Sequence, residues 1–442
     1  MPTLISQPTP ARLKRWAGYF SWSVADQVIL LGIPKLVLFP ILALILGEGT
    51  FGSFVVALGM IQLVGLAPSN GLVGYVIRDL VHEDPQSQEV LLRTTLVLTA
   101  IVVLPFALVF LLGAVWIAGF YKGDSDLRVL LPFLAGHLLF SNFVETAMSA
   151  YRVRRRFDLI SLIHGVQSAV LFLSIPLYYV AGMRGVGAAH LLAPAAAFIV
   201  IAVVERRLLF VRPMFASRFA RAAMRVWPAF SLSALIALST GYLDRILLGY
   251  WWSPAHVEPF FAAVTTASII TIPGTIVANL IFSILGRVRG AAGFDRHFYW
   301  LYGGGVIASS IAAFVIGALF GGILLRFFYP RLADAAMSLW IPTLTGFALL
   351  NVSILLRPFI SKFLSPAAMP LLSLASLIAR VVPLALLVPQ GGPRGASLAL
   401  LAGGCVTAVL WMGLYARSFL FSSTLAVEAA TDTDMATSPV NE

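Results

Sequence analysis

Cysteine and charge are the two things this 442-residue chain has least of. A single cysteine, Cys405, excludes an intrachain disulfide framework. Charged residues make up 11%, less than half the share of about 25% found in soluble domains. That scarcity excludes a soluble enzyme and a disordered chain. Catalytic signatures are absent as well: there is no H-E-x-x-H, no P-loop, no G-x-S-x-G and no cysteine pair. An enzyme is therefore not expected, and neither a cofactor nor a metal is called for. A transmembrane β-barrel is also excluded, since its short strands alternate apolar and polar residues.

What the chain has instead is apolar length. Residues of the AVILMFWYC set make up 60%, and 36 glycines add to them. One membrane-crossing helix needs about 20 apolar residues. Stretches of that kind run over about residues 17–46, 51–77, 94–120, 129–151, 159–183, 186–204, 228–252, 259–285, 301–325, 337–356, 366–388 and 396–416. The reading is an all-α integral membrane protein of about twelve spans. The first run is too long for the 7–15-residue apolar segment of a signal peptide and is expected to stay as the first helix.

The 30 lysines and arginines sort by loop. With the N-terminus inside, the inner segments carry groups such as Arg12, Lys14 and Arg15, then Arg152, Arg154, Arg155 and Arg156, then Arg206 to Arg225. The opposite loops hold only Lys122, Arg128, Arg184, Arg326, Arg331 and Arg394. This alternation puts both termini on the cytoplasmic side. It also makes the net charge of +11 a topology signal, not a sign of nucleic-acid binding.

The longest inner connection divides the chain. The expected layout is a six-helix bundle over 1–207, an amphipathic linker over 208–226, a second six-helix bundle over 227–420 and a disordered cytoplasmic tail over 421–442. In the linker, Arg218, Arg221 and Arg225 share one helical face and Phe215, Phe219 and Ala222 another, as in a helix lying on the inner leaflet. The halves also resemble each other. Span two opens with Phe-Val-Val-Ala at 54–57, and span eight, after Ser253-Pro254 and Glu258, with Phe-Phe-Ala-Ala at 260–263. Each then carries a proline, Pro68 and Pro273, about a dozen residues on; the in-span prolines Pro34, Pro40, Pro105, Pro132, Pro176, Pro194, Pro273, Pro342 and Pro383 are expected to kink their helices. Two such halves would form a parallel repeat.

Ionisable groups inside spans are costly in lipid and normally face a cavity or a partner. They are Asp26 and Lys35 in span one, Glu145 in span four, Asp244 and Arg245 in span seven, and Arg380 in span eleven. Asn142, His137, His164 and His190 join them. Lys35 and Arg245 fall about 25–29 Å along their spans, in the outer half of the bilayer. Lys35, Arg245 and Arg380 are candidates to bind an anionic headgroup, with Asn142 and Glu145 as candidates for sugar hydroxyls. Asp26 and Asp244 are read as coupling or structural groups. The alternative is internal pairing, of Asp244 with Lys35 or Arg245 and of Asp26 with Arg380. For the histidines, helix–helix hydrogen bonds are the favoured reading.

Two stretches carry a family likeness. They are Leu46-Gly47-Glu48-Gly49-Thr50-Phe51-Gly52-Ser53-Phe54-Val55-Val56-Ala57 and Tyr242-Leu243-Asp244-Arg245-Ile246-Leu247-Leu248-Gly249-Tyr250-Trp251. Both resemble Wzx-type polysaccharide flippases of the MOP superfamily, which also holds MATE drug exporters and lipid II flippases. The chain departs from the commoner pattern at Pro68-Ser69-Asn70-Gly71, where an acidic residue is usual.

The resemblance implies two pseudo-symmetric six-helix bundles around a central cavity in the bacterial inner membrane. It implies alternating-access transfer of a polyprenyl-diphosphate-linked glycan for surface polysaccharide synthesis. Membrane lipids, a polysaccharide polymerase and glycosyltransferases are the partners it suggests, with H⁺ or Na⁺ as the coupling ion. The rival readings are a MATE-like cation-coupled drug exporter and a non-transporting scaffold for glycosyltransferases.

Overall fold

The computed structural model describes residues 21–22, 24–25, 28–29, 33–206, 215–285, 296–363 and 368–436. These residues are almost all helical, with no strand among them. Lipid offers no partner to backbone N–H and C=O groups, so a chain this apolar satisfies them within helices. In order the elements are α1 (Pro34–Ile45), α2 (Thr50–Met60), a π-helical turn (Ile61–Gly65), α3 (Leu66–Asp79), α4 (Pro85–Leu112), α5 (Ala114–Phe120), α6 (Ser125–Val153), α7 (Phe157–Leu171), α8 (Ser174–Ala181) and α9 (Met183–Val204). Then follow α10 (Ser217–Trp251), α11 (Pro254–Ser268), α12 (Thr271–Leu285), α13 (Arg296–Phe328), α14 (Ala333–Phe363) and α15 (Ala368–Ala436).

Among the described residues, seven helices are long and apolar enough to cross a bilayer, and three bent pairs raise the number to ten. The long apolar stretch Leu371–Arg417 is broken at Gly392, whose φ of 53° is non-helical, so it holds two of the expected spans. With α1 standing for the first, the twelve stretches read from the sequence follow one another in order. The chain is a multi-pass, all-α membrane protein.

Of the prolines expected to kink their spans, Pro273 follows directly on a bend, whereas Pro105 and Pro132 lie inside the unbroken helices Pro85–Leu112 and Ser125–Val153. Span two bends by 43° between Gly65 and Ala67, and span eight by 47° between Ser268 and Thr271. A proline removes the N–H that would bond the carbonyl four residues back. In span two the carbonyl of Pro68 itself accepts from Trp227 Nε1 at 2.9 Å. Three residues on, a Cβ on Gly71 would lie 2.7 Å from the Trp227 carbonyl oxygen and 2.2 Å from Ser231 Oγ. The departure at Pro68-Ser69-Asn70-Gly71 is thus where α10 lies directly on α3, an approach only a glycine permits.

By contacts the chain forms two compact units. The first holds residues 1–261 together with Phe327–Leu332, and the second holds Ala262–Arg326 and Ala333–Glu442. In the first, α4 and α6 share a polar seam in which Thr99 Oγ1 and Thr146 Oγ1 lie 3.0 Å apart. Such bonds join helices where hydrophobicity cannot, because lipid tails are as apolar as leucine. The start of α4 is fixed by Asp84, which accepts from the Gln86 and Ser87 amides at 3.0 and 3.1 Å, with Pro85 following. Hydrogen bonds from Ser87 hold the Asp84 carboxyl below its usual range.

The second unit has its own core of Val352, Leu355, Leu356, Phe359, Ile360, Trp411 and Tyr415. One detail repeats between the units. Gly182-Met183-Arg184-Gly185 joins α8 to α9, and Gly392-Pro393-Arg394-Gly395 lies at the break in α15. Gly182 and Gly392 both take positive φ, 57° and 53°. A Cβ on Gly185 would meet the Leu177 carbonyl oxygen at 2.0 Å, and one on Gly395 the Leu387 carbonyl oxygen at 2.0 Å. The same turn is built twice.

The linker differs from its reading. Residues 207–214 lie outside the described ones, and residues 217–226 are the first turns of α10, continuous with span seven. Arg218, Arg221 and Arg225 are exposed as expected. Phe219, however, is buried with Ala220 and Ala223 against Leu72, Tyr75, Leu91 and Leu92. Phe219 therefore rests on protein, while Phe215 and Ala222, read on the same face, are exposed. Arg218 Nη2 also lies 3.7 Å from Glu83 Oε2. At the other end of the chain the helix assignment continues to Ala436, into the stretch read as a disordered tail.

Candidate functional site

The segment Gly47-Glu48-Gly49 ends span one, and Gly49 adopts φ of 83° as it turns into α2. L-residues with a side chain rarely take that conformation. One turn later, a Cβ on Gly52 would lie 1.9 Å from the Pro254 carbonyl oxygen, so the start of α11 sits on bare backbone. That approach brings Glu258 to the open amides at the α2 N-terminus. Its Oε1 accepts from Gly49 N at 2.7 Å and from Gly52 N at 3.1 Å. Its Oε2 accepts from Arg331 Nη2 at 2.7 Å. The Glu258 side chain is 1% exposed and that of Arg331 33%. Arg331 Nη1 donates in turn to the Leu46 carbonyl oxygen at 2.5 Å. A buried carboxylate is tolerable only with its lone pairs filled, and this one has three donors. A helix N-terminus further favours the negative charge.

Neighbouring contacts close the same end. Ser53 Oγ donates to Asp124 Oδ2 at 2.6 Å, and Asp124 Oδ1 caps α6 by accepting from Leu127 N at 2.8 Å. Lys122 Nζ donates to the Trp252 carbonyl at 2.9 Å, and the Tyr121 hydroxyl to that of Ile246 at 3.2 Å. In the same manner the Tyr329 hydroxyl donates to the Lys35 carbonyl at 3.4 Å. A shallow cavity of about 430 Å³, lined by Glu48, Ser53, Asp124, Asp126 and Pro254 among others, lies beside this polar latch.

Beneath the latch is an aromatic layer. Phe51 and Phe39 meet Phe261 edge-on at 5.5 and 5.6 Å, and Phe54 lies 6.1 Å from Phe39. Arg245 follows, its guanidinium 5.0 Å from the Phe261 ring and 5.3 Å from that of Tyr242. Asp244 is buried, and its Oδ1 lies 3.9 Å from Arg245 Nε, a loose pair. That carboxylate accepts the Arg245 backbone N–H at 2.8 Å. Lys35, half-buried on α1, lies within electrostatic reach of Arg245. Two of the three cations singled out in the sequence thus share one neighbourhood.

The remaining candidates lie elsewhere. Arg380 belongs to the second unit, is 7% exposed, and packs its stem on Gly403. Asn142 is wholly buried and donates Nδ2 to the Leu138 carbonyl at 2.6 Å. Glu145 pairs with Arg152 at 3.2 Å. Asp26 lies outside the described residues. Sequence reasoning did not bring Glu258 and Arg331 together: Glu258 marked only the likeness of the halves and Arg331 only topology. The signal present was the glycine pair Gly49 and Gly52, spaced to leave helix amides open.

No protein-family model matches the sequence, and no curated protein matches it. Solved structures do. An inward closed conformation of the lipid II flippase MurJ superposes with a TM-score of 0.71 at 12% identity, over 97% of this chain and 94% of that one. An inward-facing multidrug resistance MATE transporter of the MOP superfamily gives 0.64 at 14% identity, over 94% and 96%. The Vibrio cholerae MATE transporter VcmN in its bent form gives 0.61 at 15%, over 92% and 99%. At such identities the likeness is one of fold, and the chain has the fold of the MOP-superfamily transporters along nearly its whole length.

Proposed function

We propose that the protein is a flippase that moves a polyprenyl-diphosphate-linked oligosaccharide across the bacterial inner membrane for surface polysaccharide synthesis. It works by alternating access, the lipid tail remaining in the bilayer while the headgroup crosses inside the protein. The observation that carries this reading is the stack of a polar latch, an aromatic layer and two cations. Glu258 and Arg331 close one end, and Lys35 and Arg245 lie beneath. By the loop charges that end is extracytoplasmic, and the site waits for a headgroup from the cytoplasm.

The two cations favour an anionic substrate. A cationic drug needs fixed negative charge, whereas a diphosphate needs lysine and arginine donors, since an unpaired buried anion costs several kcal/mol. Arg380, in the second unit, is proposed as a further substrate-binding cation, with Asn142 and Glu145 kept as weaker candidates. The fold shared with a lipid II flippase supports a lipid-linked substrate. The fold shared with MATE transporters keeps drug export as the second reading. A deletion strain separates them. Loss of a surface glycan with its lipid-linked precursor accumulating, at normal ethidium efflux, supports the flippase. Normal glycan with impaired efflux makes it an exporter.

A further inference from the structure

One charged surface has no part in the latch or in the stack beneath it: the arginine face at the start of α10. Arg218, Arg221 and Arg225 recur at i, i+3 and i+7, so they stand in a row on one side of the helix, and all three are exposed. The opposite side is taken. Phe219 and Ala223 pack on α3 and α4, and Trp227 Nε1 donates to the Pro68 carbonyl at 2.9 Å. The arginines therefore face away from the protein, on a helix held from behind.

Little within the chain answers their charge. Arg218 Nη2 lies 3.3 Å from Ser87 Oγ and 3.7 Å from Glu83 Oε2. Arg221 reaches the Ser217 carbonyl through Nε at 3.4 Å, which leaves its two terminal nitrogens open. Arg221 and Arg225 have no carboxylate partner among the described residues. Nor do the arginines serve the helix they stand on. A helix starts at the positive end of its dipole, where cations are unfavourable, and the first turn of α10 holds no acidic residue to offset them. Beyond Arg225 the same side turns apolar. Pro228 and Leu232 follow Arg221 and Arg225 at i+7, Leu235 follows Pro228, and all are exposed.

We propose that this face is a binding site for an anionic phospholipid of the inner leaflet. Its phosphate is held by Arg221 and Arg225, with Arg218 at the edge, and its acyl chains lie on Leu232 and Leu235. A guanidinium takes a phosphate through two parallel bonds, and side chains one turn apart are close enough to share one phosphate. The step from arginine to leucine along one face matches the step from headgroup to hydrocarbon. A single convex helix offers charge but no walls, so it selects a headgroup by charge and not by sugar or shape. That fits a common membrane lipid, not the glycan that the protein is proposed to carry. The inner leaflet follows from the loop charges. Each arginine at an anionic headgroup favours it by about fivefold, so the pair should prefer an anionic to a zwitterionic lipid by about five- to thirtyfold. The site holds whatever the protein transports.

The test attaches a bimane fluorophore to Leu232→Cys in a Cys405→Ala background. The full chain is reconstituted in vesicles of phosphatidylcholine and phosphatidylglycerol, with brominated chains on one lipid or the other. Bromine quenches only from lipid that touches the probe, so the two quenching curves give the preference of the site. Phosphatidylglycerol should be preferred by the factor above at low salt, and less so at high salt, which screens exposed charges. In Arg221→Gln/Arg225→Gln the preference should fall towards one, and in Arg221→Lys/Arg225→Lys most of it should remain. A probe at Leu112→Cys, an exposed residue at the far end of α4, should show no preference. Equal quenching by the two lipids in the parent overturns the proposal, and so does a preference that survives the glutamine pair. The same preference at Leu112 overturns it as well, because it would belong to the whole perimeter. Should the glutamine variant fail to fold, the salt titration decides, since a preference indifferent to salt is not held by these arginines.

Discussion

Replacing Glu258 by glutamine perturbs the latch without changing its shape. Glutamine keeps an oxygen for the Gly49 and Gly52 amides but loses the charge that faces Arg331 at 2.7 Å. A hydrogen bond to a charged group contributes about 1.5–3 kcal/mol. The Arg331 side chain is 33% exposed, and water takes over part of its pairing, which brings the loss to about 1–2 kcal/mol. The closed state should therefore weaken by about 5- to 30-fold relative to the open one. Glu258→Ala goes further, leaving two amides and a guanidinium without their carboxylate, and should cost the closed state about 3–5 kcal/mol. The assay is the distance distribution between spin labels at exposed Ser125 and His256, on the two sides of the latch, in a Cys405→Ala background. A graded shift, alanine beyond glutamine, is expected. Parent-like distances in both variants would refute the assignment of Glu258 as the closing group.

Other changes have equally definite outcomes. Gly52→Ala puts a methyl 1.9 Å from the Pro254 carbonyl oxygen, so labelling of the pair should show a permanently opened end with expression retained. Arg245→Ala and Arg380→Ala should each sharply reduce glycan export at normal protein level, and full export by both leaves the cationic site without support. Gly185→Ala and Gly395→Ala meet the same obstacle at 2.0 Å, so both should lower thermal stability in detergent to a similar degree; a large disparity argues against equivalent turns. The Asp84 cap contributes stability above its unfolded value of about 3.9, which is lost as pH falls through its lower folded value. Asp84→Asn should flatten that acid limb in a melting series. A cysteine at Arg218 should label only from the cytoplasmic side; labelling from outside in intact cells inverts the topology.

The spans were legible because bilayer thickness imposes a run length that the sequence cannot disguise. The bend before Pro273 was legible for a similar reason, since a missing N–H acts locally. The latch was not. Gly49, Glu258 and Arg331 are far apart in the chain, and only packing brings them together. Loop position made Arg331 look like a topology marker alone. Asn142 was read as a candidate for sugar hydroxyls because it is polar within a span; that its Nδ2 donates to the Leu138 carbonyl of its own helix is a matter of local packing. Phe219 looked lipid-facing because an amphipathic pattern does not say whether lipid or protein covers its apolar side.

The central claim is the movement of a lipid diphosphate glycan, and purified protein in proteoliposomes tests it most directly. A short polyprenyl-diphosphate glycan with a fluorophore on the sugar is placed in both leaflets, and dithionite bleaches whatever reaches the outer one. With active protein, bleaching should proceed beyond the outer-leaflet half towards completion, and Arg245→Ala should slow it strongly. Bleaching that stops at half for the parent protein, in vesicles where the same protein carries ethidium across, would contradict the claim.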